Sequence, residues 1–384
     1  MSIQRLANIA GFSIDRVAAA AGADPEVLRM ENLDTDLAPP RAAIESTRNA
    51  VMLDEANSYL PFTGTRALRE AVSKHLHTLT RHEYDPDTEI VITCGATEGM
   101  LDALFAITDP GDEVILTDPT YAGMTNRVRL VGAVPRLVPF LVRNNEWRLD
   151  TDALTSAIGP KTRALFIMSP SMPSGAVLNR EEWNRIASVC VERNLWLLYN
   201  AAMERILYRG VPFIHPAPLP NMRERTIILG SVSKEFRMIG WRIGWVVGPA
   251  SIMNDIARVH IYNVVTPTGI AQAGAVAALH SSPEDFTKCV DEWQVRRDEV
   301  MRQLAGLPFI TPQGGWSLLL DVGTLGFDSF TASRSLLEKG KIAATPMRDW
   351  GEKNGDQFVR LVFSNEPVER LKMLGKGVRQ ALKL

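Results

Sequence analysis

The chain has 384 residues, more than one compact core usually organises, so a large domain with a smaller companion is expected. Hydrophobic residues make up 46% and charged residues 22%, enough apolar material for a sizeable core and too much for a disordered chain. Lys and Arg number 42 against 44 Asp and Glu, and the formal charge of -2 offers no broad field for capturing nucleic acid or an anionic membrane, which leaves a small molecule or another protein as partner.

The opening stretch MSIQRLANIAGFSIDRVAAAAGA is interrupted by Asp15 and Arg16 and lacks a basic lead into an apolar run, so no signal peptide is expected. No run of about 18 apolar residues follows anywhere, so no membrane span is expected. His75, His77 and His82 are spread around a helical cylinder and do not converge on a metal; no metal site is expected. From 89 to 250, short apolar runs alternate with amphipathic stretches, the pattern of a mostly parallel sheet with helices on both faces. Seven strands are expected, at 89–93, 112–117, 134–140, 163–168, 195–199, 225–230 and 244–248. Helices are expected at 97–107 and at 180–193, the latter opened by a capping box of Asn179 and Glu182. A small-residue helix at 268–280 and a long, charged helix at 284–304 follow. The latter leads to a smaller α+β domain with strands at 316–322 and 360–364 and a helix at 329–340 ended by Gly340. Cys94, Cys190 and Cys289 are odd in number and widely spaced, which supports neither a disulfide framework nor a zinc knuckle and points to a cytoplasmic location.

The strongest chemical signal is Ser231-Val-Ser233-Lys234, followed by Gly240-Trp-Arg242-Ile-Gly244 and Gly248. The strand before it delivers these residues to a sheet end, where open α/β sheets place their ligands. Two hydroxyls, a guanidinium able to bind bidentately and glycines that admit close backbone approach suit a phosphate. A lysine beside such a cup suits imine chemistry with a carbonyl compound. The spacing Gly240, Gly244, Gly248 also fits a membrane-helix dimer, but Arg242 and its charged surroundings argue against that.

SVSKEFRMIGWRIGWVVG resembles the lysine signature of class I/II aminotransferases, the fold-type-I pyridoxal-phosphate enzymes. TCGATEGM (93–100) is similar to the family's phosphate-holding turn, YLPFTGTRALREAV (59–72) to its inter-subunit segment, and the similarity runs in order from about Pro39 to the C-terminus. It implies an α/β fold-type-I transferase, with a large cofactor-binding domain of residues 48–285 and a small domain with an N-terminal arm from residues 1–47 and 286–384. It implies pyridoxal 5'-phosphate as cofactor, an L-amino acid and a 2-oxo acid as substrates, and a homodimer. By the same resemblance Lys234 carries the internal aldimine; Gly95, Ala96, Thr97, Ser231, Ser233 and Arg242 hold the phosphate, Tyr59 reaches the partner subunit's phosphate, and Tyr121 supports the ring. Arg360 binds the substrate carboxylate, and Trp316 matches a substrate-side aromatic or a packing residue.

Three positions depart from the pattern. The family's ring-nitrogen Asp reads Asn200, and the Tyr and Asn that bond the phenolic oxygen read Met203 and Met172. An amide carries no charge to favour a pyridinium, and thioethers donate no hydrogen bond. Two readings follow: an ordinary aminotransferase in which other groups replace these contacts, or a different pyridoxal-phosphate reaction (elimination, racemisation, condensation) or a non-catalytic cofactor binder.

Overall fold

The computed structural model describes residues 13–384 together with 6, 9 and 11. The expectation about a leader at residues 1–23 therefore lies partly outside the described residues. At the centre stands a sheet of eight strands: β1 (Ile90–Thr93), β2 (Glu113–Asp118), β3 (Val134–Arg143), β4 (Glu146–Leu149), β5 (Thr162–Met168), β6 (Trp196–Asn200), β7 (Thr226–Ser231) and β8 (Gly244–Val247). Their spatial order is β1-β8-β7-β6-β5-β2-β3-β4. The run from β7 through β6, β5 and β2 to β3 is parallel, whereas β8 is antiparallel to both of its neighbours. β1, β7 and β8 are buried at every position, as strands covered on both faces must be.

The sheet thus has one strand more than the seven expected. Asn144 and Asn145 both take positive φ and close a two-residue hairpin between β3 and β4. Such turns match the twist of the flanking strands and favour Asn. A second correction concerns the helix Ser329–Gly340, whose left-handed cap falls on Lys341 rather than on Gly340. Gly340 serves close packing instead: a Cβ there would lie 2.6 Å from the Gly377 carbonyl oxygen of the helix Leu374–Leu382.

The topology brings several strand ends together. Met168 is paired with Asn200 across β5 and β6, and Gly244 faces both Thr93 and Ser231 at the start of β8. The capping box expected before 180–193 is present, Asn179 accepting the Glu182 amide and Glu182 the Asn179 amide, so the helix Arg180–Glu192 starts where its orphan amides are satisfied. At the sheet edge the Ile92 amide donates to the Thr63 carbonyl at 3.0 Å, and Gly64 packs so closely that a Cβ would meet Ile92 Cγ1 at 2.3 Å.

A second sheet is antiparallel, in the order 309–310, 317–321, 358–362, 345–346. Leu28–Arg29 pairs in parallel with Ile342–Ala343, so the early chain packs with the late chain. Around this sheet a separate apolar cluster forms from Leu28, Met30, Trp293, Trp316, Leu318, Leu361 and Phe363, to which Met168 and Met203 of the other layer contribute.

Candidate active site

A cavity of about 220 Å³ opens where the ends of β5, β6 and β7, the start of the helix Gly95–Ile107 and the second sheet converge. Lys234, Arg242 and Arg360 line it, and among the described residues no carboxylate does. It therefore suits a ligand carrying more than one negative charge.

Lys234 sits in a tight turn after β7. The Ser231 hydroxyl accepts the Ser233 amide at 3.3 Å, and the Lys234 carbonyl accepts the Arg237 amide at 3.0 Å. The neighbouring Glu235 accepts both the backbone amide of Arg205 (2.8 Å) and its Nε (2.7 Å), which clamps this turn to the loop that follows Asn200. Lys234 Nζ donates to the Leu33 carbonyl at 2.6 Å and lies 5.2 Å from the centre of the Trp316 ring. Burial lowers its ammonium to a pKa of about 8; Asp34 opposes that shift, and Arg360 and Arg242 reinforce it. An amine in that range is neutral, and so nucleophilic, in a substantial fraction of molecules near neutrality.

The polar end of the cavity is a backbone cup. Gly95 has φ of +73°, and a Cβ there would lie 2.6 Å from Arg242 Nη2, so only glycine lets the guanidinium this close. Gly244 plays the same part on the other wall, where a Cβ would meet the Ala96 amide nitrogen at 2.4 Å. Arg242 is held by Nη1 donating to the Ile239 carbonyl at 2.9 Å. Arg127 Nε donates to the Thr97 carbonyl at 3.1 Å and steadies the first helical turn. The amides of that turn, the hydroxyls of Thr97, Ser231 and Ser233, and Arg242 converge where an anion gains most from a helix N-terminus.

The other end is thioether-rich. Met168, Met172 and Met203 line the cavity with Asn200, whose Oδ1 accepts the Ala202 amide at 3.1 Å and whose Nδ2 is left to meet a ligand. Tyr121, at the start of the helix Ala122–Leu130, forms one wall, with Arg127 5.9 Å from its ring centre. Arg360 is fully buried on the strand 358–362. Its Nη2 donates to the Glu31 carbonyl and to Thr345 Oγ1, while Nε and Nη1 have no protein partner. Its guanidinium lies 4.7 Å from the Trp350 ring centre, and burial lowers its pKa to about 10. A buried guanidinium with unpaired donors on a residue that lines a cavity suits a carboxylate ligand.

The structure thus brings Lys234, Ala96, Thr97, Tyr121, Asn200, Met203, Met172, Ser231, Ser233, Arg242 and Arg360 around one cavity, with Gly95 at the cup's back. Two expected residues stand apart. Trp316 is packed in the second apolar cluster against Trp293, under Lys234 and off the cavity wall. Tyr59 is 86% exposed and away from this chain's cavity. Trp350 and Leu33 line the cavity without any sequence signal: one is brought in by a loop before the strand 358–362 and the other by the extended segment after Arg29. The three histidines of the expected helix stay apart from Glu98, Asp102 and His260, the one group of three such side chains among the described residues close enough to share an ion.

Pyridoxal phosphate fits these groups. A cup that two missing Cβ atoms keep open, an amine of lowered pKa and a guanidinium with unpaired donors match its phosphate, its aldehyde and the carboxylate of an amino acid.

The pattern of class I and II aminotransferases matches residues 27–375. Kynurenine--oxoglutarate transaminase 3 of Mus musculus is 32% identical over 323 residues, 80% of this chain and 71% of that protein. Aspartate aminotransferase of Pyrococcus abyssi is 33% identical over 312 residues, 80% of this chain and 79% of the other. The structure of N-succinyldiaminopimelate aminotransferase from Mycobacterium tuberculosis superposes with a TM-score of 0.91 at 28% identity, covering 100% of both chains. No helix among the described residues is long and apolar enough to cross a membrane. With its fold, its cavity and these relatives agreeing, the chain belongs to the class I and II aminotransferases and is a pyridoxal-phosphate-dependent enzyme.

Proposed function

We propose that the chain moves the amino group of an L-amino acid to a 2-oxo acid with Lys234 as its catalytic residue and Arg360 as its carboxylate clamp. The observation that carries this is the pairing, in one cavity, of an amine of lowered pKa with a buried guanidinium that has two unpartnered nitrogens.

Gly95, Ala96, Thr97, Ser231, Ser233 and Arg242 would hold the cofactor's phosphate, Tyr121 its ring face, and Lys234 Nζ its aldehyde carbon. When bound, the cofactor supplies the electron withdrawal that loosens a bond to the substrate's α-carbon. Arg360 fixes the substrate carboxylate and so decides which bond lies in the reactive direction. Lys234, its amine free while substrate occupies the site, would take the proton from the substrate's α-carbon and later give it back as general acid. Trp350, Tyr121 and the methionines keep bulk water from that transfer.

The finer assignments rest on further support. A homodimer is favoured by exposed apolar side chains at Met52 (83%), Tyr59 and Tyr262 (88%), with Phe62 half-exposed three residues after Tyr59; Tyr59 would serve the partner's phosphate. A division into residues 48–285, and residues 1–47 with 286–384, agrees with the pairing of Leu28–Arg29 and Ile342–Ala343. Unpaired Cys94, Cys190 and Cys289 suit a cytoplasmic location. The carboxylate-free ring end favours a second reading, in which the same lysine and clamp serve elimination, racemisation or condensation. One experiment separates the two: record the holoenzyme's spectrum with a panel of L-amino acids and no acceptor. Loss of the visible band with stoichiometric release of oxo acid supports transamination; an unchanged cofactor with ammonia, the D-isomer or a condensed product overturns it.

A further inference from the structure

Outside the cavity, the buried cluster of Glu98, Asp102 and His260 joins three parts of the molecule. Glu98 and Asp102 lie on the helix that opens the phosphate cup, and His260 lies on the helix Ala250–Asn263. His260 Nδ1 is 2.5 Å from Glu98 Oε1, and His260 Nε2 is 2.7 Å from the Phe62 carbonyl oxygen. A carbonyl only accepts, so Nε2 carries a hydrogen; with Glu98 ionised Nδ1 carries one as well, and the ring is an imidazolium. The second oxygen of Glu98 accepts the Cys94 amide, immediately before Gly95. Asp102 accepts from Asn263 Nδ2 at 3.0 Å through Oδ1, while its buried Oδ2 lies 3.8 Å from His260 Nδ1 and makes no hydrogen bond. Burial followed by the neighbouring Glu98 raises the Asp102 pKa, which keeps that carboxyl protonated. Burial is the largest influence on both Glu98 and His260 and opposes their ionisation, but His260, Asp102 and the Cys94 amide together hold Glu98 down, and Glu98, the Phe62 carbonyl and Asp102 together hold His260 up.

We propose that His260 and Glu98 are positioning residues for the phosphate cup: Glu98 fixes the amide that leads into Gly95, and His260 cancels the charge this carboxylate would otherwise present to the phosphate. Glu98 lies within the first turn of the helix that forms the cup, where an uncompensated carboxylate would repel a phosphate dianion. The remaining titratable or charged groups around it are Asp102, Cys94 and, across the cup, Arg242 and Arg127. His260 also ties the cup to the Phe62 carbonyl, three residues after Tyr59, so this chain's own cup and the segment proposed to serve the partner's site share one support. This role presupposes Gly95–Thr97 as the phosphate cup.

The test compares equilibrium binding of pyridoxal 5'-phosphate with that of pyridoxal, which lacks the phosphate, to the full chain freed of cofactor. For H260Q, phosphate discrimination should fall about tenfold while pyridoxal binding holds. That loss should deepen as pH rises, because Glu98 then ionises without a counter-charge. The double variant H260Q/E98Q should regain most of the discrimination, which a merely structural role for His260 would not produce. E98Q alone, which keeps an acceptor for the Cys94 amide, should lose less discrimination than H260Q, and H260N stands in if H260Q does not fold. Equal losses for the two ligands, failure of E98Q to rescue H260Q, or a tenfold loss in E98Q would each overturn the proposal. If the wild type itself does not prefer the phosphorylated ligand, the cup assignment fails first.

Discussion

The two ends of the cavity are built in opposite ways. The end proposed to take a phosphate consists of backbone amides, hydroxyls and a guanidinium, kept open by glycines at 95 and 244. The ring end is made of Met168, Met172, Met203 and the uncharged Asn200. A charged anchor thus faces a soft, polarizable wall, and on the proposed reading the groups that would hold a cofactor carry charge while those beside its ring carry none.

Experiments can break or sharpen that contrast. The largest effect is expected from Lys234→Ala, which should eliminate covalent cofactor attachment; a visible band persisting in the purified variant would contradict the assignment. Next, Arg360→Leu should lower kcat/KM by about a hundredfold through loss of a charge-assisted contact, with cofactor affinity unchanged in a direct titration. At the ring end, Asn200→Asp introduces the missing carboxylate and should move the pH at which the bound cofactor's visible band converts by about one unit or more. An unmoved transition would mean that Asn200 does not govern the ring. The smallest effect concerns pH alone: because burial lowers Lys234 to about 8, its free amine accumulates as pH rises through that value. Capture of added pyridoxal phosphate, followed by stopped-flow absorbance, should accelerate up to about pH 8 and level off above it.

Much of this was legible in the residues. Continuous apolar runs such as Thr226–Ser231 mark fully buried strands, and Ser231, Ser233, Lys234 and Arg242 lie close together in sequence because one strand end and the following turn carry them. Asn179 and Glu182 announce a helix start through a purely local reciprocal bond. Long-range features were not legible. Glu146–Leu149 is four residues long, and only its alternation after Asn144-Asn145 signals a strand. Trp350 reaches the cavity because Asp118 accepts the amides of Glu352, Lys353 and Asn354, a contact between segments more than two hundred residues apart. His260 meets Glu98 across 162 positions, with no motif to link them. Trp316 in PQGGWS reads equally as ligand contact or core, and the fold makes it core beneath the lysine.

The turn at Thr63–Gly64 has a consequence for solubility. β1 is the border strand of a long, apolar sheet, and a bare border of that kind templates pairing with other chains. By accepting the Ile92 amide, the Thr63 carbonyl occupies a donor that would otherwise recruit a foreign strand, and Gly64 is small enough to let the turn lie flat against Ile92. A side chain at position 64 would lift this guard, and the damage would surface as aggregation during expression well before any change in catalysis.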